Sequence, residues 1–79
     1  MRHVLNIPGT VQRKIKKIDA RHRVKLLIAL TILAKDPYIG KRLVGKYRDQ
    51  WSHQLSVYTI VYRILNKKLL LLAVQVKKK

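Results

Sequence analysis

Cysteine and phenylalanine are absent from this sequence, and only three acids, Asp19, Asp36 and Asp49, stand against 19 lysines and arginines. The missing cysteine excludes a disulfide frame, a thiolate nucleophile and a cysteine metal site, and fits a reducing cytoplasm. Three acids so far apart leave no pair for two-carboxylate hydrolysis. His3, His22 and His53 lie 19 and 31 residues apart, without metal-ligand spacing, so neither a metal nor a cofactor is expected. No glycine-rich phosphate loop and no HExxH motif is present. Long apolar runs are missing too: LLIALTILA (26–34) and LLLLAVQV (69–76) fall short of the roughly 18 to 20 residues that span a bilayer. Asn6, Pro8 and Gly9 interrupt any signal-peptide core. A cytoplasmic location and no membrane partner are the expectation.

What is present is a short chain with much apolar content and a large excess of one charge. Seventy-nine residues give room for one domain, 1–79, which buries only about 60% of its unfolded surface. Hydrophobic residues make up 48% of the sequence, too many for a disordered tail even at a net charge of +16. Unpaired cations oppose compaction and attract polyanions. The expected partner is therefore a nucleic acid or an acidic protein.

HVLNI (3–7) reads as a first strand, stopped by Pro8 and Gly9. Thr10 is placed to cap a helix whose Val11, Ile15 and Ile18 form one narrow apolar stripe among Arg13, Lys14, Lys16 and Lys17. Asp19 then caps a second helix, predicted from Ala20 to Lys35 and ended by Asp36 and Pro37. That helix is apolar around much of its circumference, so it is expected to be the better buried. YIGKRLVGKYRD (38–49) has no sustained period and reads as a loop or a ragged strand start. From Gln50 the period becomes two. Trp51, His53 and Leu55 share one face of a strand, and Tyr58, Ile60, Tyr62 and Ile64 share one face of the next, opposite Val57, Thr59, Val61 and Arg63. Asn66, Lys67 and Lys68 make a turn into LLLLAVQV, apolar on both faces as expected of a central strand covered on both sides, or on one side by a partner. The fold class is α+β, in the order β-α-α-β-β-β, with a helical hairpin packed on one face of a small, mainly antiparallel sheet.

Cations, aromatics and one histidine are the materials of metal-independent RNA cleavage, in which a 2′-hydroxyl attacks the neighbouring phosphate and cations hold the developing charge. Arg63 is the one formally ionised side chain of WSHQLSVYTIVYRI (51–64), and a solvent-facing strand arginine is also ordinary. His53 is the candidate acid or base, although its face, shared with Trp51 and Leu55, favours a partly buried structural histidine. Tyr58 and Tyr62, alternating with Ile60 and Ile64, favour core packing over base stacking. Lys46 and Arg48 flank Tyr47 in a loop able to grip RNA, and Lys77, Lys78 and Lys79 end the chain as a basic run.

DPYIGKRL, followed by a loop, WSHQLSVYTIVYRI, a short turn and an apolar last strand, resembles the RelE/ParE superfamily of toxins from type II toxin–antitoxin systems, over nearly the whole chain. The resemblance implies an acidic antitoxin partner and one of two activities. One is that of a ribosome-dependent mRNA endonuclease, an mRNA interferase that inhibits translation. The other is ParE-like inhibition of DNA gyrase, or binding by a degenerate toxin fold. Ribosome and mRNA are the partners in the first case. Arg63, Lys77 and His53 are the catalytic candidates, and Lys46, Arg48, Lys78 and Lys79 the RNA-binding ones. Lys77 takes the family's basic position on the last strand.

The departures from the family pattern are specific. Gln54 stands where an arginine is common, and Thr59 where the family usually places the arginine that contacts the scissile phosphate. Ser56 and Val57 replace a Gly-Asp pair, and no terminal tyrosine follows Lys77. The net charge alone makes one prediction: affinity for a generic RNA falls about tenfold or more between 50 and 200 mM salt, because each phosphate contact releases counterions. A flat salt response in a filter-binding titration contradicts it.

Overall fold

The computed structural model describes residues 3–55 and 57–76. Its elements are β1 (Val4–Asn6), α1 (Gly9–Lys16), α2 (Ala20–Lys35), β2 (Lys41–Arg42), β3 (Trp51–Leu55), β4 (Tyr58–Leu65) and β5 (Lys68–Val76). They form a five-stranded sheet in the order β1-β5-β4-β3-β2, with β1 parallel to β5 and the other pairs antiparallel. The α+β class and the β-α-α-β-β-β order hold, with β2 added at the sheet edge. Two residues are too few to show a period, which is why the sequence leaves 38–49 open between a loop and a ragged strand start.

Helix α1 begins two residues earlier than the sequence suggests. Pro8, at φ −59°, occupies the N-cap position, which puts Thr10 inside the first turn rather than at the cap. Gln12 bonds back instead, its Nε2 donating to the Ile7 carbonyl at 2.8 Å. Helix α2 has the expected bounds with Asp19 at its N-cap, but the Asp19 side chain makes no capping hydrogen bond. Its carboxylate pairs with Arg21 Nε at 3.7 Å, in water. At the other end the Asp36 carboxylate accepts from the Tyr38 N–H at 3.2 Å, and Pro37 opens a short 3₁₀ turn.

Both helices cover one face of the sheet. Val11 and Ile15 of α1, and Leu26, Ala29, Leu30, Leu33 and Ala34 of α2, are buried, the spacing of one helical face. Opposite them lie Tyr58, Ile60 and Tyr62 of β4 and Leu69, Leu71 and Val74 of β5. The odd-to-even switch on β5 comes from a bulge: Val61 pairs with Ala73 and Tyr62 with Leu71, so Leu72 has no partner. One inserted residue thus lets Leu71 and Val74 point the same way. The turn between β4 and β5 uses Asn66 at φ 59°, a left-handed conformation asparagine tolerates.

α2 is less enclosed than its composition suggests. Val24, Leu27, Ile28 and Ile32 are each about half exposed, so its apolar surface continues outside the core. The helix is apolar around its circumference, yet the sheet covers only one side of it.

A single buried hydroxyl ties the chain between α2 and β2 to the centre of the sheet. Tyr62 Oη donates to the Pro37 carbonyl at 2.6 Å, and no part of Tyr62 reaches solvent. Burial pushes its hydroxyl up to about 12 from the usual 10. Gly40 passes so close that a Cβ there would collide with the Tyr62 hydroxyl and lie 2.8 Å from the Ser52 carbonyl oxygen, which is why only glycine fits. Tyr62→Phe is expected to cost about 1–2 kcal/mol by leaving a buried carbonyl unpaired. Because the folded-state pKa lies above the unfolded one, that contribution is complete below pH 10 and fades as the pH rises toward 12. Denaturant titrations of both proteins at several pH values check this. A stability difference that stays constant through the alkaline range contradicts it.

Candidate nucleic-acid interface

The face of the sheet away from the helices is set by pairing across the strands. Gln54 lies opposite Thr59, Ser52 opposite both Val61 and Lys41, and Arg63 opposite Leu70. Neighbours across a pair point the same way, and Ile60 and Tyr62 point into the core, so Lys41, Ser52, Gln54, Thr59, Val61 and Arg63 share the outer surface. It is mostly uncharged. Leu70, Leu72 and Ala73 give it a half-buried apolar centre.

Two depressions lie nearby, the first on this side and the second at the strand ends, between the two sides. One is lined by Leu43, Tyr47, Gln50, Val61, Leu72 and Gln75, with Lys46 Nζ 5.3 Å from the Tyr47 ring centroid at its rim. A half-exposed tyrosine beside a cation is a surface on which a base can stack. The other lies where β3 begins, with Tyr38, Trp51 and Ile64 from the helix side and Arg42, Arg48, Asp49 and Arg63 around it. Arg63 Nε there stands 3.2 Å from Asp49 Oδ2 as an ion pair, yet its N–H is not aligned for a hydrogen bond. Arg42 Nε donates to the Arg48 carbonyl at 2.9 Å.

The candidates named from sequence are thus dispersed. Arg63, Lys46 and Arg48 border the outer face. His53 does not: it pairs with the fully buried Ile60 and lines a groove on the helix side with Lys25, Ile28, Ile32, Ile39 and Leu55. His53 and Arg63 therefore face opposite sides of the sheet. His22 stands edge-on to Tyr58 at 5.6 Å and His3 edge-on to Tyr38 at 6.4 Å between ring centroids. Lys77, Lys78 and Lys79 lie outside the described residues. Lys41, Arg42 and Asp49 join the site without any sequence signal, since the segment that carries them has no period. Among the described residues no group of three histidine or acidic side chains is placed to hold a metal.

No protein-family model matches the sequence, and no curated protein matches it. Solved structures do match in fold. The toxin–antitoxin complex RelBE2 from Mycobacterium tuberculosis contains a chain that superposes with a TM-score of 0.88 at 20% identity, covering 100% of this chain and 95% of that one. The isolated E. coli RelE toxin superposes with a TM-score of 0.81 at 18% identity, covering 98% and 86%. An arginine-to-alanine double variant of E. coli RelE in complex with an antitoxin RelBc peptide gives 0.79 at 19% identity, covering 100% and 86%. From β1 to β5, this chain has the fold of the RelE toxins.

Proposed function

We propose that this chain is the toxin of a type II toxin–antitoxin pair and that it cleaves mRNA on the ribosome. The observation that carries the reading is the likeness in fold to RelE toxins over all of this chain and nearly all of the mycobacterial one. The charge of +16 supports a polyanionic target. Cleavage requires a 2′-hydroxyl to lose its proton and attack its own 3′-phosphate, forming a 2′,3′-cyclic phosphate while the P–O5′ bond breaks and the leaving O5′ takes up a proton. Arg63 stabilises the phosphorane charge, and Lys46, Arg48 and the basic run Lys77 to Lys79 hold the RNA backbone. With His53 turned toward α2, proton transfer near Arg63 depends on how the ribosome positions the strand.

The antitoxin is expected to be a small acidic protein of the same cytoplasm. Two of the matching structures are complexes with an antitoxin or a peptide of one. Val24, Leu27, Ile28 and Ile32 offer an apolar strip for such a partner, with Lys25 among them. Co-expression of a small acidic antitoxin is expected to relieve growth inhibition by this chain. Ile28→Asp with Ile32→Asp is expected to reduce co-purification of the pair at least tenfold.

A second reading, binding without cutting at the ribosome or at DNA gyrase, is favoured by one observation. Ser52, Gln54, Thr59 and Val61 leave the outer surface uncharged next to Arg63. The two readings separate in one experiment. Translating ribosomes are incubated with the protein in chelator, and mRNA ends are mapped by primer extension. New ends support cleavage. Absence of ends together with inhibited gyrase supercoiling transfers the assignment to the second reading.

Charge restoration sharpens the test. Thr59 and Arg63 are four residues apart on β4, about 13 Å at the usual rise per residue, so arginines at both positions meet above Val61. Thr59→Arg, alone or with Gln54→Arg opposite it, is expected to raise cleavage by up to about a hundredfold, the effect of about 3 kcal/mol of charge stabilisation. Arg63→Ala is expected to lower it. A Thr59→Arg protein that folds, binds ribosomes and still makes no new ends contradicts the nuclease reading.

A further inference from the structure

The three acids of this chain are all engaged, and in different ways. Asp19 pairs with Arg21 at the exposed start of α2, and Asp36 caps the turn at Tyr38. Asp49 alone stands against a cation of the outer sheet face. In a chain with 19 bases, a carboxylate set beside the only ionised side chain of β4 has an electrostatic consequence.

The loop that carries Asp49 is held independently of that pair. Leu43 N–H donates to the Gln50 carbonyl at 2.9 Å, Gln50 N–H to the Tyr47 carbonyl at 2.9 Å, and Arg42 Nε to the Arg48 carbonyl at 2.9 Å. The carboxylate is thus fixed in place by its own loop, and bracing that loop does not require Arg63. The pair itself is weak. Its side chains are 38% and 53% exposed, and exposed ion pairs contribute about 0–1 kcal/mol. Arg63 Nε is buried without an aligned acceptor although Asp49 Oδ2 is 3.2 Å away. A guanidinium in that state gains more from an acceptor that meets its fork squarely, and a phosphate oxygen pair does so. Arg42 and Arg48 line the same depression and add positive potential for such an anion.

We infer that Asp49 is a resident counter-ion for Arg63, which an RNA phosphodiester displaces, so that the loop sets how tightly RNA is gripped at this face. The inference deepens the proposed function and rests on its assignment of RNA to the outer sheet face. Asp49 acts through Arg63 and is a positioning residue. Its role is to weaken binding of RNA that is merely nearby, while a strand held in place by other contacts can exchange one phosphate for one carboxylate.

Binding of a fluorescent oligouridylate is measured by anisotropy at one salt concentration for the full chain, Asp49→Asn, Arg63→Ala and the double variant. Asp19→Asn serves as control, because it changes net charge by the same amount at a distant helix end. Asp49→Asn is expected to bind about fivefold more tightly than Asp19→Asn, and the gain is expected to disappear in the Arg63→Ala background. Equal affinities for the two asparagine variants overturn the inference, as does a gain that persists without Arg63. Tighter binding of polyglutamate in place of the oligonucleotide overturns the assignment to RNA. If Asp49→Asn does not fold, the wild-type chain decides: the Arg63 Nε–Hε resonance shifts saturably as oligouridylate is added, or it stays fixed and the displacement is wrong. Ribosomal cleavage with equal asparagine variants removes the counter-ion role alone. The expected affinity pattern without cleavage removes the nuclease reading alone.

Discussion

A one-residue slip of β4 against β3 would turn Tyr58, Ile60 and Tyr62 out to water and drive Arg63 into the core. Three large side chains, each worth about 1.5–3 kcal/mol when buried, oppose that slip, and burying an unpaired guanidinium opposes it further. The same alternation that encloses the core therefore presents Thr59, Val61 and Arg63 on the outer face. Tyr62 adds a directional element to this packing, because its hydroxyl reaches the Pro37 carbonyl and fixes where the chain leaves α2. From that anchor Gly40 brings the backbone to the sheet edge, and β2 and the loop bearing Asp49 follow. The depression beside Arg63 is thus positioned by a hydrogen bond to Pro37, whose neighbour Tyr38 lines it.

The charge imbalance pulls in the opposite direction. A net charge of +16 on 79 residues means that folding gathers cations which the unfolded chain keeps apart. Few acids are available to offset this, and one of them is spent on a cap and another on an exposed pair. The core has to supply the difference, yet α2 keeps four large apolar side chains about half exposed. A fold with unsatisfied charge on one side and unsatisfied apolar surface on another gains stability from any partner that is acidic and amphipathic, since binding the folded state alone shifts the folding equilibrium. Charge and exposed apolar surface call for the same chemistry in a partner.

Much of this was legible in the residues. Asp36 and Pro37 mark the end of α2, and the stripe of Val11, Ile15 and Ile18 marks the covered face of α1. The period of two identified the inward tyrosines. Alternation within a strand, however, does not say which of its faces matches which face of the next strand. His53 and Arg63 are separated by the pairing of His53 with Ile60, a fact of register that depends on the turn between them. The bulge at Leu72 was hidden for a similar reason: a run of four leucines looks the same with or without an extra residue. Lys41, Arg42 and Asp49 sit in segments held by backbone hydrogen bonds and one two-residue strand, where side-chain pattern carries no signal. Thr10 failed as a cap because Pro8 already fixed the backbone where the helix begins.

The composition of the outer face bears on what kind of catalyst it can be. A self-sufficient nuclease holds its base, its acid and its phosphate-binding cations on one surface, at distances set before substrate arrives. Here Arg63 has a carboxylate for a neighbour, and the histidine nearest in sequence faces the helices. Rate enhancement from this face alone would be limited to electrostatics, and that only after Arg63 exchanges its partner. Such a surface gains most when another assembly holds the RNA strand in place, because the entropy of orientation is then already spent and one well-placed cation acts on a preformed geometry. Under the proposed function the shortage of chemical groups and the excess of diffuse charge belong together: diffuse charge would bring the protein to a large polyanion, and the polyanion would supply the order that the face itself lacks.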